Sequence, residues 1–536
     1  MPRSVSVPRM FAQIRVALEH ACEVEQLPPD YLDLADQERR ACLQSLLRRS
    51  DVALVAGVVS RRRLAEVFAS RPHDSFPIVY LPVGELPRGA PNFRNVFPLF
   101  HSRDLILVNC SADARIIENL TRSCRARTVQ VPLGVDTRVF RPPGPGERAR
   151  TRAALGLAED DVLLTYAGRV CAEKNVHGAL AAFQIVAARN PRLHLLIVGP
   201  LRDEYFPEFQ TGPFSMGALL RRQLALVPQV KDRVHFTRFS VEEAGAGVAR
   251  LCGASDFFIN LTLTHDECFG YSAVEAMSCG LPVVATYWGG QQDTIEDGVT
   301  GFHVDTAISQ TGIRFDLHQA VRACEALASS PALRRRMGRA ARRRVKTLFS
   351  EERFRDLLCA VVTNAARTRA SRARVNRWSS QGSRFAARFA VPADDHEPDV
   401  RAGTPLARIP VYDGPQAYSL YRALIGPYCR GPVRGPADLD AVLFLRSPFL
   451  RLRGRTVLCD DPLWPGRHRL PDLLSARVIE ALQSRSFLTV RDLARTLALT
   501  PSALVPTLRS LCRHGLVVAS SLRGPAPETD RSALVA

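Results

Sequence analysis

The sequence predicts an α/β protein with two parallel-sheet domains, followed by a small α+β module. Three observations predict it. Short apolar, β-branched runs alternate with helical periodicity between residues 51 and 131, and the same alternation starts afresh at residue 161. Between the two series lies RPPGPGERAR, residues 141–150, whose Pro, Gly and Arg content reads as an interdomain linker. A third patterned stretch returns near residue 438, after a long segment with little periodicity. A chain of 536 residues is expected to hold two or three domains.

Residues 1–50 read as helical, in FAQIRVALEHACEV and DQERRACLQSLLRRS. Strands are expected at 52–59, 78–81, 104–108 and 128–131, and PLGVD at 132–136 closes this series. In the second series, strands are expected at 161–167, 193–198, 233–236, 256–261 and 283–285. Helices are expected at 176–189, 215–228, 241–252, 317–328, 331–348 and 350–366. If this sheet is doubly wound, its strand-to-loop junctions share one edge, so residues 167–175, 199–202, 262–271 and 286–291 should gather there. The segment 367–435 is rich in Ser, Arg, Pro and Gly and reads as linker and irregular structure. From 436 to 522, strand-like VLFLRSPFLRLRGRTVLCD precedes three helical runs and the strand-like LVVAS, a winged-helix-like pattern. Residues 523–536 read as a disordered tail.

The net charge is +19, and lysine occurs only at 174, 231 and 346. So strong a preference for Arg reports a GC-rich genome more than a function. It makes a placed lysine such as Lys174 worth notice. From Pro331 to Arg377 there are 15 basic and 3 acidic residues, a net of +12. This stretch reads either as a peripheral contact with an anionic membrane or nucleic acid, or as solvated amphipathic helices. No apolar run reaches about 18 residues, so no transmembrane helix is expected. The start, MPRSVSVPRMFAQIRV, lacks an apolar signal core. Thirteen scattered cysteines without a CxxC pair suit a reducing cytoplasm better than a disulfide framework or a thiolate zinc site.

The chemistry concentrates in HDECFGYSAVEAMSCGLPVVATYWGG, residues 265–290. Cys268-Phe269-Gly270-Tyr271 is a turn that opens a helix, Gly280-Leu281-Pro282 ends the helix, and Val283-Val284-Ala285 is a buried strand. A helix N-terminus at Gly270 offers unpaired N–H groups to a phosphate. Glu267 stands before the helix and Glu275 inside it. Upstream, AGRVCAEKN at 167–175 places Arg169 and Lys174 across a strand-to-helix turn. A leaving diphosphate would need fixed cations of this kind or a metal.

These two motifs resemble the donor-site signature of family-4 glycosyltransferases of the GT-B fold, over residues 127–350 and in outline over 51–126. The resemblance implies two Rossmann-like domains that face each other across a cleft, residues 1–150 (reduced, acceptor side) and 151–366 (donor side). It implies a retaining, metal-independent transfer from a nucleotide-diphosphate sugar, with no permanently bound cofactor. Glu267 would contact the transferred sugar, and Arg169 and Lys174 the diphosphate, with Gly168 in the same motif. The backbone of Phe269, Gly270 and Tyr271 would hold phosphate oxygens, and Glu275 the ribose. Gly289 and Gly290 would line the cleft. No metal site is expected; Asp160-Asp161 and Asp460-Asp461 read as surface pairs, and His265-Asp266 as a polar rim.

The sequence departs from the family at its start. Residues 1–50 contain no glycine, so the usual glycine-rich loop is missing. Val83 stands where the family tends to place a histidine; His101 could replace it, or be a plain surface residue. A second reading is therefore a glycosyltransferase-like scaffold that binds a nucleotide sugar and docks a partner. The third helix of the C-terminal module carries Ser502, Thr507, Arg509 and Arg513, but Pro506 should kink or shorten it. Docking of a peptide or protein is favoured over specific DNA binding.

Overall fold

The computed structural model describes residues 6–27, 30–31, 33–56, 61–82, 93, 96–202, 215–237, 244–263, 267–309, 312–367, 375–380, 382–383, 439, 442–445, 450–459, 466–484, 488–514 and 516–520. Val83, His265-Asp266, Asp460-Asp461 and the tail 523–536 lie outside them.

The first domain begins with helices α1 (Ser6–Glu19) and α2 (Asp36–Arg48). Then come β1 (Ala53–Ala56), α3 (Arg61–Ala69), β2 (Ile78–Leu81), β3 (Leu105–Val108), α4 (Ser111–Leu120), β4 (Thr121–Ser123) and β5 (Arg127–Gln130). Strands β1, β2, β3 and β5 form a wholly parallel sheet in that order. The central strands, IVYL and LILV, are buried on both faces, as parallel sheets require. Asp104, just before β3, is fully buried. It takes two bonds from Arg71 (2.9 and 2.8 Å) and one each from the Ile78 and His101 amides (2.8 and 2.7 Å). Four donors satisfy a carboxylate that would otherwise be costly to bury.

The expected linker 367–435 needs correction at residues 375–383. Strand β14 (Arg377–Trp378) pairs antiparallel with β4. Trp378 packs 4.2 Å from the Phe97 ring, and Asn376 accepts the Arg125 amide at 2.8 Å. This piece belongs to the first domain's core. The supposed interdomain linker 141–150 likewise ends in helix, because α5 (Glu147–Ala154) starts within it.

The second domain contains β6 (Val162–Ala167), α6 (Val176–Ala187), β7 (Leu193–Val198), α7 (Met216–Leu226), β8 (Val234–Thr237) and α8 (Ala244–Ala254). It continues with β9 (Phe257–Asn260), α9 (Tyr271–Ser278), β10 (Val283–Thr286), the short α10 (Gln291–Thr294) and β11 (Gly301–Val304). Their sheet is parallel, in the order β11-β10-β9-β6-β7-β8. The chain starts in the middle at β6, winds outward to β8, then returns to the other side of β6 at β9. The topological switch point lies between β6 and β9, where ligands bind in such sheets. A hairpin of β12 (Thr306–Ser309) and β13 (Gly312–Phe315) follows. Helices α11 (Leu317–Ser329), α12 (Pro331–Leu348) and α13 (Glu351–Arg367) complete the domain. Asp316 and Ser330 cap α11 and α12.

The arginines of α12 divide into two sets. Arg334, Arg342 and Arg344 turn inward and donate to backbone carbonyls, Arg342 to those of Thr137, Phe140 and Ser278. Arg335, Arg336, Arg339, Arg343 and Lys346 are exposed.

The two domains share contacts. Met10, Ile14 and Leu18 of α1 pack in one cluster with Phe354, Leu358 and Val362 of α13. Leu263 and Trp288 of the second domain enter the core of the first. Asp293 accepts from the Ser111 amide and hydroxyl, both at 2.6 Å, and so caps α4 from across the interface.

In the C-terminal module, β15 (Val442–Leu445) pairs antiparallel with β19 (Leu488–Thr489) and β20 (Val517–Ser520), and β16 (Leu450–Arg453), β17 (Thr456–Cys459) and β18 (Gly466–Arg469) form a meander. Helices α14 (Leu473–Ser484), α15 (Val490–Thr496) and α16 (Pro501–Arg513) cover them. Contrary to expectation, α16 runs on through Pro506. Leu504, Leu508 and Leu511 anchor one face of it in the core, while Ser502 and Pro506 face solvent, where water can satisfy the freed carbonyl.

Candidate functional site

Four loops meet at the carboxyl edge of the larger sheet. After β6, the chain turns at Gly168 (φ +148°) and runs beside the loop after β7. A Cβ on Gly199 would lie 2.0 Å from the Gly168 carbonyl oxygen, so only glycine permits this approach. The Val170 amide donates to Pro200 and the Arg202 amide to Val170, at 2.9 and 3.0 Å. Residues Ala172–Lys174 form a single 3₁₀ turn. Asn175, left-handed at φ 52°, then donates its side chain to the Leu261 carbonyl at 3.0 Å. The Leu263 amide donates to Glu173 at 3.1 Å. The loops after β6 and β9 are thus laced together across the switch point.

On the far side of that lacing stands the Phe-Gly turn. Phe269 is buried, and Gly270 caps the N-terminus of α9 with φ +82°, a conformation that favours glycine. From the loop after β10, the Gly290 amide donates to the Glu267 carbonyl at 2.6 Å. A Cβ on Gly289 would sit 2.1 Å from that same carbonyl oxygen. The glycine pair therefore braces the turn from beneath.

The charged side chains are paired. Lys174 Nζ donates to Glu267 Oε2 at 2.6 Å, bridging the switch point. Arg169 lies 2.7 Å from Glu173. Glu275, in the second turn of α9, is buried and bonded to Arg9 of α1. Burial pushes the Glu275 carboxyl above its ordinary range, and the Arg9 guanidinium opposes the shift. Burial also pushes the Cys171 thiol up to about 12, so it offers no thiolate beside Arg169. Among the described residues, no group of three His, Cys, Asp or Glu side chains is placed to hold a metal ion.

Next to Val170 lies a cavity of about 410 Å³, lined by Gly199, Leu201, Leu220, Leu224 and Phe236 among others. Phe236, at the end of β8, is 53% exposed, so its ring is available to a planar ligand. Sequence reasoning missed this pocket, Glu173 and Arg9. An aromatic residue closing a strand at the ligand edge was the available signal for Phe236; Glu173 and Arg9 gave none. His101 is occupied locally, with its ring nitrogen 3.2 Å from the Asp74 carbonyl.

The larger domain of this GT-B-like architecture thus combines a doubly wound sheet with a glycine-braced helix N-terminus and two carboxylate-paired cations at its switch point. Residues 147–344 match the family model of glycosyl transferases group 1. Similar curated proteins include D-inositol 3-phosphate glycosyltransferases. The one from Actinosynnema mirum is 31% identical over 205 residues, 38% of this chain and 45% of the relative. The one from Geodermatophilus obscurus is 30% identical over 286 residues, 53% and 58% of the two chains. The chain spans about half the length of the curated relatives it matches. Among solved structures, a glycosyltransferase from Rickettsia africae aligns with a TM-score of 0.49 at 15% identity, over 66% of this chain and 88% of that one. Anabaena HepE in complex with UDP and glucose gives 0.48 at 19%, over 65% and 89%.

Proposed function

We propose that the chain is a retaining, metal-independent glycosyltransferase that moves a sugar from a nucleotide-diphosphate donor. The observation that carries this reading is the Lys174–Glu267 pair, which spans the switch point beside the α9 N-terminus. The diphosphate sits at that N-terminus, on the amides of Phe269, Gly270 and Tyr271. It draws Lys174 and Arg169 from their carboxylates, because a diphosphate offers each cation more charge and more acceptor oxygens than a lone carboxylate. Glu267, released from Lys174, then accepts hydrogen bonds from the sugar hydroxyls. Glu275 takes the ribose diol. The base lies against Phe236 in the neighbouring cavity. The departing phosphate takes the acceptor's proton on the face it leaves.

The C-terminal module is assigned a docking role for a peptide or protein. The exposed cations of α12 are assigned a peripheral anionic contact, in a cytoplasmic setting.

The test is a panel of nucleotide sugars with wild type and Glu267→Gln, reading nucleoside diphosphate release. Glu267→Gln should bind nucleoside diphosphate no more weakly than wild type and turn the sugar over about tenfold or more slowly, a transition-state loss of roughly 1.4 kcal/mol. A wild type that binds a donor but never turns it over, with any acceptor or docked partner, refutes the transferase.

A further inference from the structure

We propose that Arg9 is a positioning residue for the donor nucleotide: it holds Glu275 by one carboxylate oxygen and leaves the other for the ribose diol. This rests on the reading of Glu275 as the ribose acceptor.

The geometry is specific. Arg9 Nη1 bonds Glu275 Oε1, and Arg9 is the hydrogen-bond partner recorded for that carboxylate among the described residues. The Glu275 side chain keeps a small open edge, 11% of its surface. The guanidinium carbon lies 5.0 Å from the centroid of the Tyr271 ring and 5.7 Å from that of Phe140. Two rings and a carboxylate therefore fix the Arg9 fork. One turn on, Gln13 accepts from the Tyr271 hydroxyl at 2.9 Å. Its amide donates to the Gly134 carbonyl (3.1 Å) and to Glu351 (2.7 Å). Helix α1 is thus seated on α9, the backbone at Gly134 and α13 together, and its position sets Arg9.

The chemistry gives the pair a purpose. A vicinal diol donates two hydrogen bonds, which an ionised carboxylate can accept and a protonated one accepts poorly. Burial favours the protonated form of Glu275, and Arg9 counters it. Among the described residues, the other titratable groups around Glu275 supply no cation toward it. Tyr271 and Cys252 feel its charge, and Glu351 faces Arg9 from α13. Arg342 of α12 is taken up by the Phe140 and Ser278 carbonyls. Helix α1 thereby brings a fixed charge to Glu275.

The experiment compares UDP, GDP and ADP with their 2′-deoxy forms by calorimetry on wild type, Arg9→Met, Arg9→Lys and Glu275→Gln, with thermal unfolding of each. For the nucleotide that binds, wild type should prefer ribose about tenfold, the value of one good hydrogen bond to a charged group. Arg9→Met should lose that preference by weakening the ribo form alone; Arg9→Lys should restore much of it. A merely structural role for Arg9 would weaken both forms equally. If Glu275→Gln erases the preference and Arg9→Met keeps it, the inference fails while the ribose reading stands. If Glu275→Gln keeps the preference, or wild type binds no nucleotide, the ribose reading itself fails. If Arg9→Met tightens both forms, α1 is a plug and the inference is overturned.

Discussion

Gly290→Ala tests the brace beneath the Phe-Gly turn. A Cβ at this position would lie 2.4 Å from the Cys268 carbonyl oxygen and 2.5 Å from both the Cys268 carbonyl carbon and the Phe269 nitrogen. Ordinary contact begins at 3.4 Å, so the turn or the loop must retreat by about 1 Å (3.4 − 2.4). All three obstructing atoms are backbone, and no side-chain rotation can relieve them. Overpacking of this kind costs roughly 1–3 kcal/mol of stability. The functional loss should be larger in proportion. Gly270 and the α9 N-terminus move with the turn, and a displacement of about 1 Å in a positioned site costs on the order of 100-fold in rate. The matched control is Gly298→Ala. Gly298 has φ +75° and nothing within 4 Å, so it should lose roughly 1–2 kcal/mol from strain and keep function. Thermal unfolding, nucleotide calorimetry and donor turnover on both variants decide the matter. If Gly290→Ala binds and turns over like wild type, the turn is not held by this contact, and its assignment to the diphosphate falls with it.

Lys174→Met should weaken nucleoside diphosphate binding by roughly 1.5–3 kcal/mol, and calorimetry in the Glu267→Gln background should show a larger loss, because Lys174 there has no carboxylate partner to give up on binding. Phe236→Ala should weaken the whole nucleotide by about 1–3 kcal/mol and leave pyrophosphate affinity alone, read by competition binding. Asp104→Asn strands the buried Arg71 charge and should destabilise the first domain by roughly 3–5 kcal/mol in denaturant unfolding. His318, held neutral by burial with its pKa lowered to about 4, predicts a pH effect: the unfolded chain binds its proton first, so stability should fall as pH drops from about 6.5 to 4, by up to roughly 3 kcal/mol. His318→Gln should flatten that slope in thermal scans.

The parallel strands were legible because they are short continuous apolar runs. IVYL and LILV fall where the pattern puts them, since a strand buried on both faces has no polar positions to blur it. Strands β11 to β13 were not legible. GFHV sits on a sheet edge, and TAIS and GIRF form a two-residue-linked hairpin, with mixed polarity in each. Trp378 was the signal missed in the linker: a lone tryptophan in a polar stretch needs something to cover it, and Phe97 does. The convergence of the four loops followed from the sheet-edge rule. The pairings within it did not, because Lys174 and Glu267 are 93 residues apart and Arg9 and Glu275 are 266 apart. Arg9 carried no mark at all. With 72 Lys plus Arg, three of them Lys, the chain has 69 arginines, and one more arginine in a helix is not informative.

The site as folded holds three cations against three carboxylates: Arg9 with Glu275, Arg169 with Glu173, and Lys174 with Glu267. That balance explains how so much charge is tolerated in a half-buried crevice, since an unpaired charge there would be costly. It also sets the energetics of binding. On the proposed function, a diphosphate does not fill a vacant positive pocket; it exchanges one anionic partner for another, so the net gain is smaller than the cation count suggests. The exchange has a direction, because the carboxylates left behind need new donors. On the proposed function, sugar and ribose hydroxyls supply donors to Glu267 and Glu275, whereas inorganic phosphate supplies none of comparable reach. That proposal therefore predicts a preference for a complete nucleotide sugar over bare phosphate. The loop that braces this exchange is also the one that reaches the other domain. Between Trp288, in the first domain's core, and Asp293, which caps α4, lie the two glycines under the Glu267 carbonyl. A shift of either domain against the other is then felt at the Phe-Gly turn within three residues, and binding there biases the interface in return.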